Sequence, residues 1–215
     1  MIMVIVSRNN WLVETKIVVS TFYNHYSFIS GRSTSTKEIK MSDFHNLYQS
    51  DLKRFGNAKP SRYQRRFYYY FRKSQTTKNK ILLLYYRYRF AKIKAKNGIE
   101  IYYQTSIGKG LYIGHPYNIT VNAKAVIGEN CNIHKGVLIG QENRGERKGT
   151  PVIGNRVWIG INAVIVGNVT VGDDVLIAPN SYVNRDVPSH SVVFGNPCIV
   201  KPKDNATVDY INNTV

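Results

Sequence analysis

Residues 153–187 read IGNRVW, IGINAV, IVGNVT, VGDDVL, IAPNSY, VNRDV when broken every six positions. An aliphatic residue opens each block: Ile153, Ile159, Ile165, Val171, Ile177 and Val183, all β-branched. The position after it is mostly small: Gly154, Gly160, Val166, Gly172, Ala178 and Asn184. Four positions after it stand Val157, Ala163, Val169, Val175, Ser181 and Val187, again small or β-branched. A period of six fits neither a helix at 3.6 nor an alternating strand at 2. It fits a coil with three short flat sides, one hexapeptide to a side, the aliphatic residue pointing inward and the small residues easing the corners. A single coil cannot bury its own apolar stripe, so coils must stack.

Working outward, Ile101, Ile107, Ile113 and Ile119 keep the same spacing in one phase, and Ile127, Ile133 and Ile139 in another. The phase jumps by two residues between Ile119 and Ile127 and again across 141–152. Such insertions map to loops on the outside of a solenoid. The repeat thus occupies 99–203, and a polar tail, 204–215, follows it.

Ahead of the repeat the composition changes. The chain carries 30 Lys/Arg and 13 Asp/Glu, net +17. Of these, 41–98 hold 15 basic and 2 acidic residues, a difference of +13. The spacing of Phe44, Leu47, Tyr48 and Leu52 predicts a helix, capped by Ser42 and broken by Gly56 and Pro60. A longer Tyr- and Arg-rich helical stretch runs from Arg62 to Ala95, interrupted near 74–77. Such a segment either seeks an acidic partner, whether an anionic membrane surface, an acidic glycan or, least expected, nucleic acid, or is a solvated basic face. Residues 1–40 show no period and are read as an extension upstream of a natural start at Met41. No apolar run reaches the roughly 18–20 residues of a membrane span, and the opening six apolar residues make a poor secretion signal. A cytoplasmic protein is expected. Cys131 and Cys198 are expected to be small buried residues rather than ligands or nucleophiles.

These motifs resemble the hexapeptide-repeat acyltransferases: Gly98-Ile99-Glu100-Ile101, then Ile107 to His115, Ile133 to Gly140, Gly149 to Gly154, Val157 to Gly160, and the closing Phe194-Gly195-Asn196-Pro197-Cys198. The resemblance covers nearly all of 98–203. Within the family it is nearest the serine acetyltransferase branch and its capsule and exopolysaccharide relatives. It implies a left-handed parallel β-helix, a homotrimer, and acetyl-CoA bound in a groove between neighbouring prisms.

The resemblance places the catalytic histidine at His115 and its carboxylate partner at Glu100. Imidazole suits removal of a hydroxyl proton because its ordinary pKa of about 6.5 leaves it largely neutral at pH 7. Gly160, Ala178 and Pro179 match the backbone that lines the acetyl-CoA groove. Arg185, Lys201 and Lys203 are candidates for the cofactor phosphates, each equally readable as a solvated charge. His134, Arg144 and Arg147 are candidate acceptor-binding groups. Neither a metal-ligand cluster nor a phosphate-binding glycine loop is present in the sequence, so no metal is expected. The loop 141–152 carries Arg144, Glu146, Arg147 and Lys148 where the serine enzymes have a second histidine. On that ground, and because the helical segment ahead of the repeat is shorter than the one the serine enzymes carry, the expected acceptor is a hydroxyl of a sugar or polysaccharide precursor. The alternatives are serine O-acetylation and a non-catalytic polyanion-binding scaffold.

Overall fold

The computed structural model describes residues 43–215. The proposed extension 1–40 and the Ser42 cap lie outside the described residues.

Three helices come first: α1 (Asp43–Lys53), α2 (Arg62–Thr76) and α3 (Lys80–Ala95). Ser61 starts α2 through a reciprocal capping box with Gln64, which satisfies two N–H groups that a helix start leaves free. Asn79 starts α3, its side-chain oxygen accepting from the Ile81 and Leu82 amides at 3.0 and 3.1 Å. The break therefore falls at 77–79, just past the stretch the sequence suggested. The two helices meet through aromatic rings, Phe90 lying 5.3 Å from Phe67 and 5.5 Å from Phe71.

A parallel β-helix of about five coils follows. The first coil has β1 (Glu100–Ile101), β2 (Ser106–Ile107) and β3 (Tyr112–Gly114). The second has β4 (Thr120–Val121), β5 (Val126–Ile127) and β6 (Asn132–His134), and the third β7 (Leu138–Gly140), β8 (Val152–Ile153) and β9 (Val157–Ile159). The fourth has β10 (Val164–Val166), β11 (Thr170–Val171) and β12 (Val175–Ile177). The last has β13 (Tyr182–Val183), a single bridge at Val187, and β14 (Ser191–Phe194), with β15 (Ile199–Pro202) antiparallel to it.

Strands from successive coils stack into three sheets, ordered β1-β4-β7-β10-β13, β2-β5-β8-β11 and β3-β6-β9-β12-β14-β15. Register places like on like: Ile101, Val121, Ile139, Ile165 and Val183 form one inner column, and Ile113, Ile133, Ile159, Ile177 and Val193 another. All are buried, and burying each such side chain stabilises by about 1.5–3 kcal/mol relative to exposure. The six-residue reading needs one correction. Ile119, fourth in its six-residue series, does not stack on Ile101, because Val121 is the residue paired with Ile101. Ile119 is buried one corner position earlier, so the two-residue jump in phase lies in the corner 115–118.

A solenoid must also end. All three strands of the first coil are sheet edges, and their backbone groups need partners. The basic helical segment supplies them. The Arg72 guanidinium donates to the Ile107 and Gly108 carbonyls at 2.8 and 2.7 Å and to both carboxylate oxygens of Asp51. Asp51 in turn accepts from the Leu111 amide at 2.8 Å. Arg54 donates to the Gly110 carbonyl, Gln75 to that of Thr105 and Lys94 to that of Ile101. The Tyr68 hydroxyl accepts from the Ile113 amide. Part of the positive charge is thus internal: Arg54 and Arg72 are buried.

Residues 204–215 lie along the corner between the second and third sheets. Asp174 accepts from the Ala206 and Thr207 amides, Asn132 donates to the Tyr210 carbonyl, and Asn130 and Val215 exchange two hydrogen bonds. Both cysteines are buried. Burial pushes the Cys131 thiol up to about 12, far from the thiolate that reactivity needs.

Candidate functional site

The corner joining the third sheet to the first recurs once per coil. It begins at Gly114, His134, Gly160 and Ala178 in successive coils, and each of the last three turns requires only two residues before the next inward position. The first turn has two more, and His115 is the residue that leads it. Its φ of 52° lies in the left-handed region, uncommon for residues other than glycine, though His, Asn and Asp enter it more readily than the rest. The bulge is held by its backbone. The Tyr117 amide donates to the His115 carbonyl at 2.7 Å, Asn97 donates to the Pro116 carbonyl at 2.7 Å, and the Gly136 amide donates to the Tyr117 carbonyl at 3.1 Å. The result is an imidazole carried outward, exposed to solvent, on a fixed corner.

His134 stands one coil further, in register with Gly114. Its Nδ1 lies 2.9 Å from the Ile159 carbonyl. A carbonyl can only accept, so Nδ1 carries the proton and Nε2 presents a lone pair. That edge of the ring covers Gly114: a Cβ there would meet His134 Cδ2 at 2.5 Å and Nε2 at 2.7 Å. Glycine at 114 is therefore what lets the two histidines approach. Burial, first, and the nearby His115 hold the His134 pKa below the ordinary histidine value, against the opposing effect of the Ile159 carbonyl. His134 also packs 4.7 Å from the Trp158 ring, which meets Tyr210 at 5.1 Å. Sequence reasoning paired Gly114 with His115 but missed its contact with His134, and missed Trp158 as a site-shaping residue. Their positions follow from the register of β3, β6 and β9, which spacing alone could have suggested once the corner insertion was placed.

The depressed His134 pKa has a consequence for stability. The unfolded chain takes up a proton near pH 6.5 while the folded ring resists it, so the unfolded state binds more protons in that window. Stability is fully present above about 6.5 and declines as pH falls through it, levelling off below the folded pKa. Thermal midpoints measured from about pH 7.5 down to 5.5 should fall, and His134→Gln should flatten that part of the profile.

The remaining candidates divide. Gly160, Ala178 and Pro179 stack on the same corner as His115, on the third and fourth coils; a Cβ on Gly160 would lie 2.6 Å from the Pro179 nitrogen, so glycine there lets the two coils stack closely. Lys201 lies in β15 of the third sheet, paired with Val192, its ammonium 5.7 Å from the Phe194 ring. Arg185 stands on the corner between the first and second sheets, and the Lys203 amide is tied to the His190 carbonyl on the remaining corner. The structure does not gather these three basic groups into one site on the protomer. Glu100 opens β1, exposed, alternating outward from Ile101. Its backbone sits beside the His115 corner, its amide donating to the Ile119 carbonyl at 2.7 Å. Among the described residues no hydrogen bond joins its carboxylate to His115; the nearby charge it influences is Lys94. Arg144 and Arg147 belong to a hairpin pinned by Glu142 and Gly149. With Glu142, Val166, Tyr182 and Asn184 they line an open cleft of about 440 Å³, on a different corner from His115. Among the described residues no group of His, Cys, Asp and Glu could hold a metal ion.

Residues 150–185 match the family described as bacterial transferase hexapeptide (six repeats). The chain is 32% identical over 117 residues to a serine acetyltransferase of Synechococcus elongatus, covering 54% of this chain and 48% of that one. It is 36% identical over 107 residues to a serine acetyltransferase of Helicobacter pylori, covering 50% and 63%. The chain thus spans about half to two thirds of the length of such relatives. Among solved structures, serine acetyltransferase of Neisseria gonorrhoeae in complex with serine is 26% identical with a TM-score of 0.57, covering 74% of this chain and 69% of that one. The soybean enzyme complexed with serine, at 24% identity and a TM-score of 0.63 over 74% and 70% of the two chains, shares the fold.

The repeat, the prism and these likenesses define a hexapeptide-repeat β-helix protein. Over its β-helix the chain is similar to serine acetyltransferases. The expected sugar or polysaccharide acceptor is corrected by the same findings, since these relatives and structural neighbours are serine acetyltransferases. The physical reason is visible in the fold. The loop whose missing histidine suggested a sugar stands on another corner of the prism, so within a protomer its composition does not bear on the His115 corner.

Proposed function

We propose that the protein transfers an acetyl group from acetyl-CoA to the hydroxyl of L-serine. The observation that carries this reading is the His115 bulge, backed by a neutral His134, in a coil domain similar to serine acetyltransferases. A serine hydroxyl is a poor nucleophile until its proton begins to leave. His115, exposed at the corner, takes that proton. His134, uncharged at pH 7, adds no repulsion to the imidazolium that forms beside it, and its Nε2 lone pair accepts a hydrogen bond from the serine ammonium. Glu100, beside the corner and free of hydrogen-bond partners for its carboxylate among the described residues, turns toward His115 to orient the ring. Bound acetyl-CoA supplies an activated thioester; the close stacking of coils at Gly160 and the turn at Ala178 and Pro179, exposed at Pro179, fit a ligand held along the corner. Three copies of the chain, packed side by side, complete that groove.

No helix among the described residues is long and apolar enough to cross a membrane, and cytoplasmic placement, where acetyl-CoA and serine are both at hand, is part of the same reading. The test is CoA release by the purified chain with L-serine, L-threonine, ethanolamine and a simple hexose as acceptors. Release with L-serine at least about tenfold above the others, a difference of about 1.4 kcal/mol, is expected. Release that prefers the hexose would overturn the acceptor assignment.

A further inference from the structure

Helix α3 is apolar on two opposite faces. Leu83, Tyr86, Phe90 and Ile93 turn inward, and Phe90 and Ile93 are buried against α2 and the prism. On the other side Ile81, Leu84, Tyr85 and Tyr88 recur at three- and four-residue spacing, the spacing of one helix face. They are exposed, Ile81 by 80% and Leu84 by 67%. A helix apolar all round is ordinarily covered all round, and contiguous exposed apolar surface marks an interaction site.

The charges beside this stripe say what covers it. Residues 77–98 contain seven Lys or Arg and no Asp or Glu. At 100° per residue, Lys80 and Arg87 fall along one border of the stripe and Arg89 and Lys96 along the other, with Lys92 inside it. Several are already seated on aromatic rings: Lys92 lies 4.8 Å from the Tyr88 centroid, Arg89 donates to the Tyr85 hydroxyl at 2.9 Å, and Arg87 stacks 4.7 Å from Tyr103. A second copy of this face would bring like charges together along both borders. A soluble polyanion would meet the cations and leave the apolar stripe in water. An anionic lipid surface satisfies both at once: aliphatic and tyrosine side chains enter the acyl boundary while the basic side chains reach the headgroups.

The geometry points to α3 as an interfacial helix that docks the protein on an anionic membrane surface. Unlike Arg54 and Arg72, which are buried against the first coil, Lys80, Lys92 and Lys96 are exposed, and the docking is independent of the acceptor that the His115 corner uses.

The test is sedimentation of the full chain with vesicles of phosphatidylcholine, with and without phosphatidylglycerol, comparing the natural protein with Ile81→Ser/Leu84→Ser and with Lys80→Gln/Lys92→Gln. Far-UV circular dichroism and the thermal midpoint report whether each variant is folded. Binding confined to phosphatidylglycerol vesicles is expected, weakened about tenfold or more in the first variant and reduced, with a shallower salt dependence, in the second. Equal binding to both vesicle types, or none, would overturn the proposal. So would heparin binding as tight as vesicle binding and indifferent to Ile81→Ser/Leu84→Ser, which would make the face a polyanion site. Concentration-dependent self-association abolished by that variant, without vesicle binding, would assign the face to a second copy.

Discussion

His115→Ala lowers kcat for serine-dependent CoA release by about 10²- to 10⁴-fold, the range that loss of a positioned general base covers. KM values for both substrates change little, and the thermal midpoint stays where it was. The last expectation follows from the structure. His115 is exposed, and the bulge that carries it is held by backbone carbonyls and amides and by the Asn97 side chain. Removing the ring leaves every one of those bonds in place. The left-handed φ at 115 disfavours alanine slightly, a cost that a single exposed corner can absorb. Steady-state kinetics beside a melting curve decide the matter. Full activity in the variant would remove His115 as the base; a large drop in melting temperature would make any loss of activity uninterpretable as chemistry.

Asp51→Ala has the largest expected effect on stability, about 3–5 kcal/mol. Asp51 and Arg72 are both fully buried, with Nε to Oδ2 at 2.7 Å and Nη2 to Oδ1 at 3.0 Å. The carboxylate also accepts from the Leu111 amide. Alanine leaves a guanidinium buried without its counter-charge and an amide of the first coil without an acceptor. Against a typical stability of about 5–15 kcal/mol, that loss shifts the urea midpoint strongly. The Asp51→Ala/Arg72→Met double variant should lose less than the sum of the two single changes, because no lone charge remains inside. A loss below about 1 kcal/mol, the scale of an exposed ion pair, would show that the helices do not close the prism in the way described.

The two predictions concern different parts of the chain, and the parts were unequally legible. The β-helix could be read from Ile153 to Val183 because each inward residue reports its own coil and the pattern is local. The misplaced Ile119 shows the limit. A corner that gains two residues keeps an aliphatic residue near the expected place, and only the pairing of Ile101 with Val121 reveals which of two buried residues holds the column. The helices were readable from apolar spacing, but their caps at Ser61 and Asn79 and their purpose were not. Asp51, Arg72 and Leu111 are far apart in sequence, and nothing in a basic Tyr-rich segment says that two of its arginines lie inside the fold.

The site was legible where a motif carried it and obscure where register did. Gly114-His115 stood out as a pair. That His134 would lie over Gly114 depends on which residue of β6 faces which residue of β3, and a two-residue uncertainty in the corner hides it. The sugar acceptor was an inference from one loop position and from the short helical segment. It is overturned by the likeness of the repeat to serine acetyltransferases, and within a protomer that loop stands on a different corner from His115.

The central claim is that this chain makes O-acetylserine with His115 as base. It is tested most directly by incubating the purified protein with acetyl-CoA and L-serine, with His115→Ala in parallel, and identifying the amino-acid product by mass spectrometry and proton NMR. The account predicts O-acetyl-L-serine from the natural protein and, in the same time, at least about a hundredfold less from the variant. CoA release with no acetylated serine, or equal product from both proteins, would contradict it.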